Sequence, residues 1–226
     1  MAAATQAGEW QFHLSGDVLC LDFANTVSWR RSSSPIERLA AYGDLVSWAR
    51  QTGLISDLDA ARIRRAGAQH PRQSARLLET ARNLREAIFR IFASVSERRQ
   101  PAARDLGQLN LALRSAAANR RLVRKGNSYI WQSADHVPSI PRVLQDVAWS
   151  AAELLSSDEL ASVGQCHGRE CRWLFIDRTR NRSRRWCDMT VCGNRAKAQR
   201  FYRRSRRHDR SGTTVAAQSG KRGPRD

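Results

Sequence analysis

The chain has 226 residues, enough for one medium domain with a small appendage and a sizeable core. Its 39 Lys and Arg stand against 21 Asp and Glu, and the formal charge of +18 points to nucleic acid or an anionic surface as partner. No apolar run approaches the ~20 residues of a membrane span, and residues 1–6 lack the basic start and apolar core of a signal peptide, so a soluble cytoplasmic protein that does not span the membrane is predicted.

The charge is unevenly placed. Residues 164–226 hold 18 basic and 5 acidic residues, whereas residues 1–163 hold 21 and 16. Arginine supplies nearly all of it, since Lys125, Lys197 and Lys221 are the only lysines. A strongly basic appendage therefore follows a nearly ordinary domain.

In chain order, Ser15-Gly16-Asp17 reads as a turn before an apolar stretch that carries Asp22, Asn25 and Thr26. Cys20, between Leu19 and Leu21, reads as a small buried apolar residue. Ser34-Pro35-Ile36-Glu37 has the form of a helix start: a capping Ser, Pro at the first position and Glu three past the cap. Gly43-Asp44 is expected to break that helix before Leu45–Gln51, and Gly53 to end it. A further helix is expected after Ser56 or Asp57. The clearest helix spans about Gln73 to Arg98, where Leu77, Ala81, Leu84, Ile88, Ile91 and Val95 form one apolar stripe. Pro101 opens another, with Leu106, Leu109, Leu113 and Ala117. Residues 122–131 read as a hairpin turning at Gly126-Asn127. Pro141 to Leu155 returns to helix. The fold class is mainly α with short β hairpins: a helical domain over 1–160, a small four-cysteine finger over 161–208, and a basic disordered tail over 209–226.

Cys166, Cys171, Cys187 and Cys192 form two pairs with four residues inside each and fifteen between. Thiolates so grouped can close around one ion, and four of them leave a zinc ion no vacant position, so a catalytic role is disfavoured and one structural Zn2+ is expected. An iron–sulfur cluster uses the same ligands. Disulfides would need an oxidising compartment, for which the sequence shows no export signal. Residues 172–177 resemble a strand and Arg184-Arg185-Trp186 its return, a module too small to fold by burial alone, so that metal binding and folding are one event. His167 adjoins Cys166 and reads as a bystander.

From Gly193 onward the sequence suits a helix. Advancing ~100° per residue, Ala198, Phe201, Tyr202 and Ser205 share a narrow face for packing, while the basic residues cover the remainder. Arg195, Gln199 and Arg203 form one stripe suited to base edges in a major groove; Lys197 joins the basic side, and Arg200, Arg204, Arg206 and Arg207 are placed for phosphates. Asn194 faces inward to fix the metal loop or cap the helix. Seven basic residues with no acidic residue at helical spacing would repel one another, and such a helix makes most sense if an anion neutralises it.

The run Cys166…Cys171, Phe175, Asp177, Arg185-Trp186-Cys187, Met189, Cys192-Gly193-Asn194-Arg195 and Lys197 resembles the CGNR zinc finger. Upstream, Leu21-Asp22-Phe23-Ala24-Asn25-Thr26 with Trp29-Arg30, Asp44-Leu45 and Trp48 resembles the ABATE domain that precedes such fingers in bacterial regulators of stress-induced transcription. The resemblance implies a four-cysteine zinc site and DNA binding.

Asp22, Asn25, Thr26, Trp29 and Arg30 have two readings. They could line a ligand pocket that makes the domain a sensor, or form an internal hydrogen-bond network; the second is favoured because buried polar groups need partners. No Ser/His/Asp set, phosphate-cradling glycine loop or HExxH supports catalysis. Three functions compete: a DNA-binding regulator, an RNA-binding protein with Trp173 and Trp186 as stacking residues, and a zinc-stabilised protein-interaction module. So short a reading head suits a homodimer, in which two half-sites combine.

Overall fold

The computed structural model describes residues 10–134 and 137–202. The described residues divide into two compact units, the first running to Cys187 and the second starting at Asp188.

The first unit is mainly helical with short antiparallel strand pairs. Its helices are α1 (Leu19–Ala24), α2 (Tyr42–Gln51), α3 (Asp57–Gln69), α4 (Pro71–Ser96), α5 (Ala103–Ala118) and α6 (Ile140–Leu155). Its strands pair as β1 (Val27–Ser28) with β2 (Ile36–Glu37), β3 (Arg120–Lys125) with β4 (Ser128–Ser133), and β5 (Val163–Gln165) with β6 (Leu174–Ile176). The β3–β4 hairpin turns at Gly126-Asn127 with Leu122 opposite Trp131, as its sequence predicts. Among the described residues no helix is long and apolar enough to cross a membrane.

Helix α4 is the spine. It touches every other helix of the unit and both β5 and β6. Ala81, Leu84, Ile88, Ile91 and Phe92 are buried along it, and Leu77 and Val95 are partly buried against the core, so the predicted stripe is the core face. Ser56 caps α3 by accepting from the amide of Asp59 at 3.1 Å. Cys20 is fully buried, and that burial pushes its thiol pKa up to about 12, far from any metal-ligating or nucleophilic role at neutral pH.

Residues 34–37 do not begin a helix. Ile36 and Glu37 form β2, with Val27 opposite Glu37 and Ser28 opposite Ile36. The reason lies in α4. Arg85, 3% exposed, takes both Glu37 carboxylate oxygens at 2.6 and 2.7 Å, and its Nε donates to Glu86 at 2.9 Å. A buried guanidinium needs a charged partner, and that requirement overrides the local capping signal. Helix α2 starts later, where the Asp44 carboxylate accepts from the amide of Ala41 at 2.7 Å. Gly43 and Asp44 therefore lie in its first turn instead of breaking it.

The second unit, as far as it is described, is a π-helical turn over Met189–Gly193 continuing into a helix over 194–202. Asp188 caps this turn: its Oδ1 accepts from the amides of Thr190 and Val191 at 2.6 and 3.0 Å. The Asn194 side chain donates to the Thr190 carbonyl at 3.0 Å and holds the turn from its C-terminal side, though Asn194 itself is exposed. Phe201 and Tyr202, expected on a packing face, are 67% and 68% exposed, and their rings meet edge to face at 5.9 Å.

Candidate metal centre

Three of the four cysteines are placed by the β5–β6 hairpin and the segment that follows it. The hairpin closes where the amide of Cys166 donates to the Trp173 carbonyl at 2.8 Å, leaving Cys166 and Cys171 in the loop between the strands. Within that loop the amide of Cys171 donates to the Gly168 carbonyl at 3.1 Å, and the amide of Gly168 donates to Cys166 Sγ at 3.4 Å. Arg172, at φ 64°, turns the chain back toward β6 in a left-handed conformation that non-glycine residues adopt rarely. On β5, Gly164 is required by close approach: a Cβ there would stand 2.7 Å from the ring of Phe175, which is 1% exposed and has no room to move.

Strand β6 pairs with β5 upstream of the first cysteine and not with Arg184-Arg185-Trp186. The expected return strand survives only as a local contact, in which the amide of His167 donates to the Arg185 carbonyl at 2.9 Å. The difference follows from burial. Val163, Leu174 and Ile176 belong to the same apolar core as the helices, so the strand that can bury its side chains there wins the pairing. The hairpin is thus not an independent mini-module.

Further bonds moor it. Asn25, 3% exposed, donates to the Leu174 carbonyl and accepts from the Leu174 amide, both at 2.9 Å. Trp173 Nε1 donates to the Val27 carbonyl at 2.8 Å, and its ring stacks on His13. Arg184 was not marked by sequence reasoning beyond its expected place in a strand, yet it is the hub. Its guanidinium donates to the carbonyls of Ile176 at 3.0 Å, Cys187 at 2.7 Å and Ser15 at 3.2 Å, pairs with Asp17, and lies 4.4 Å from the Phe175 ring centre. Sequence offers no signal for this role, because one Arg among many carries no mark of which carbonyls it will meet.

The four thiol sulfurs come together. Cys166, Cys171, Cys187 and Cys192 are all buried, and their Sγ atoms lie within 4.8 Å of one another. Cys171 and Cys187 Sγ are 3.7 Å apart, close to the edge of a tetrahedron with Zn–S bonds of about 2.3 Å and far beyond a disulfide bond. The donor set and its spacing fit one structural Zn2+, with every tetrahedral position filled by sulfur.

The other predicted site residues divide by position. Arg195, Lys197, Gln199 and Arg200 lie on the helix over 194–202 and are exposed; Arg200 Nε donates to the Ala196 carbonyl at 3.4 Å. Arg203, Arg204, Arg206 and Arg207 lie outside the described residues, as does the tail over 209–226. Asp22, Asn25, Thr26 and Arg30 each have hydrogen-bond partners within the first unit. Besides the Asn25 clamp, Asp22 accepts from the amide of Gly16 at 2.7 Å, where a Cβ on Gly16 would stand 2.8 Å from the Asp22 amide nitrogen. Burial pushes the Asp22 carboxyl up to about 6, with the Asp17 charge adding to the rise against the Gly16 bond. Thr26 donates to the Phe23 carbonyl at 2.8 Å. Trp29 takes a left-handed turn at φ 55°. Arg30 grips Glu86 at 2.8 Å and the Ala24 carbonyl at 2.9 Å, over the face of Phe89.

Comparison with known families decides the kinship. Residues 17–158 match ABATE, described as "putative stress-induced transcription regulator". The chain belongs to the ABATE family. Residues 162–205 match the CGNR zinc finger, in the order the sequence motifs imply. No curated protein matches the chain significantly. Neither family is an enzyme family. In this ABATE protein the stretch Leu21–Thr26 has a visible structural duty: Asn25, within it, ties the end of α1 to the strand that carries the metal loop.

Proposed function

We propose that this chain is a DNA-binding transcription regulator in which zinc is a scaffold and the arginines make the contact. One observation carries the reading: the helix that follows Cys192 directly presents exposed Arg195, Lys197 and Arg200 with Gln199, and residues 194–202 contain no acidic side chain. A surface of that composition attracts phosphate. Arg195 and Gln199 are the candidates for base edges, Lys197 and Arg200 for phosphates, with Arg203, Arg204, Arg206 and Arg207 extending the same sequence pattern. The regulatory half of the reading rests on the description of the ABATE family.

The test is a titration of the full chain on a mixed-sequence DNA duplex. With about four phosphates neutralised, affinity should fall about a hundredfold between 50 and 200 mM salt, and Arg200→Glu should weaken it further. Cys187→Ser, which removes a ligand, should abolish tight binding. Affinity that barely responds to salt, or tighter binding to single-stranded RNA in competition, would displace the DNA reading. Binding left intact by Arg200→Glu would favour an acidic protein partner.

A further inference from the structure

A second basic surface lies entirely within the first unit. A cleft of about 510 Å3 opens against Cys166 and is lined by Arg31, Arg169, Arg172 and Arg185 with His167 and Glu97. Each arginine arrives from a different place. Arg31 follows β1, and its amide donates to the Glu170 carbonyl at 3.0 Å, which fixes that turn to the metal loop. Arg169 projects from the loop between the first two cysteines. Arg172 follows Cys171 in its left-handed turn. Arg185 stands two residues before Cys187.

The charges do not balance. Arg172 pairs with Glu97, but that one carboxylate is also held by Arg99. Arg185 Nε stands 3.5 Å from His167 Nδ1, and an imidazole supplies no negative charge. Arg31, Arg169 and Arg185 are exposed at the rim. Among the described residues that line the cleft there are four guanidinium groups and one carboxylate, that of Glu97. Guanidinium is the donor best matched to phosphate oxygens, and a cleft focuses the field that a flat surface spreads.

We infer that this cleft binds a phosphate of the DNA backbone, giving the protein an anion-binding surface made of residues other than those of the basic helix and dependent on the helical domain through Arg31. The inference deepens the proposed function and rests on it. It also gives the metal loop a duty besides holding zinc, because the loop carries Arg169 and aims Arg172.

The experiment compares two double charge reversals in the full chain. Arg31→Glu with Arg169→Glu alters the cleft; Arg72→Glu with Arg76→Glu makes the same charge change at exposed positions of α4. Zinc stoichiometry and thermal unfolding are measured alongside duplex titrations across salt. The cleft pair should bind at least about tenfold more weakly than wild type, and its log affinity against log salt should flatten by about one unit or more, the signature of a lost phosphate contact. The control pair should lose less than about threefold with an unchanged slope. Should the reversed cleft pair fail to retain zinc, Arg31→Ala with Arg169→Ala reads the same slope change without introducing acid. Equal losses in cleft and control pairs, or an unchanged slope in the cleft pair, would overturn the inference while leaving the proposed function standing. A wild-type chain that binds no duplex would remove both.

Discussion

The two cysteine pairs have the same spacing, but three of the four cysteines and the fourth, Cys192, are supported differently. The loop with Cys166 and Cys171 grows from strands whose side chains lie in the helical core, and Asn25, Trp173 and Arg184 bond it to the N-terminal segments. The turn before Cys192 is capped by Asp188 and Asn194, both local, and leads into a helix whose aromatic residues are exposed. The first pair thus has support from the core, a root that does not run through a metal. In the second pair Cys187 shares that support through Arg184, and Cys192 has local support alone. A zinc ion held by the four thiolates would work as a clasp, with Cys192 the ligand that has local support alone.

That contrast makes ranked predictions. The largest effect should come from the root. Arg85→Ala removes the buried guanidinium that ties Glu37 of β2 to α4 and should cost about 3 kcal/mol in urea unfolding, with the whole helical unit melting earlier. Asn25→Ala leaves the Leu174 amide and carbonyl unpaired in a buried place, at about 2–4 kcal/mol. If either substitution spared the helical unit and harmed only zinc retention, the root would be misplaced.

Asp22 gives a change of the opposite sign. Its folded pKa of about 6 lies above the ordinary carboxylate value, so its contribution is fully present below about pH 4 and is lost as pH rises through 6. Asp22→Asn keeps an acceptor for the Gly16 amide and removes the buried charge. It should therefore stabilise the protein by about 2 kcal/mol at pH 7 and by almost nothing at pH 4, read from paired denaturation curves. A benefit that did not depend on pH would contradict this.

The smallest effect belongs to the second pair. Asp188→Ala removes the cap of the 189–193 turn, worth about 1 kcal/mol, and should weaken zinc retention against a competing chelator about fivefold. The melting of the helical unit should not move.

Much of this was legible in the chain. The ligand set shows in cysteine spacing, the spine in the stripe from Leu77 to Val95, and the β3–β4 hairpin in its Gly126-Asn127 turn. These are local signals with local causes. What sequence reading missed depends on distant partners. Glu37 looks like a helix-capping residue until Arg85, 48 positions later, claims its carboxylate. Arg184 looks like one cation among many, and its role follows from carbonyls at Ser15 and Cys187 that only the fold brings within reach. The pairing of β6 with β5 in place of residues 184–186 was decided by room in the helical core, which no pattern inside the finger records.

Hydrogen exchange on the full chain, zinc-loaded and then stripped by a chelator, tests the clasp most directly. On stripping, amides over 188–202 should exchange at least about tenfold faster, and those of the Cys166–Cys171 loop somewhat faster, while α1, α4 and β6 keep their protection. Collapse of protection throughout α1 and α4, or unchanged exchange over 188–202, would contradict it.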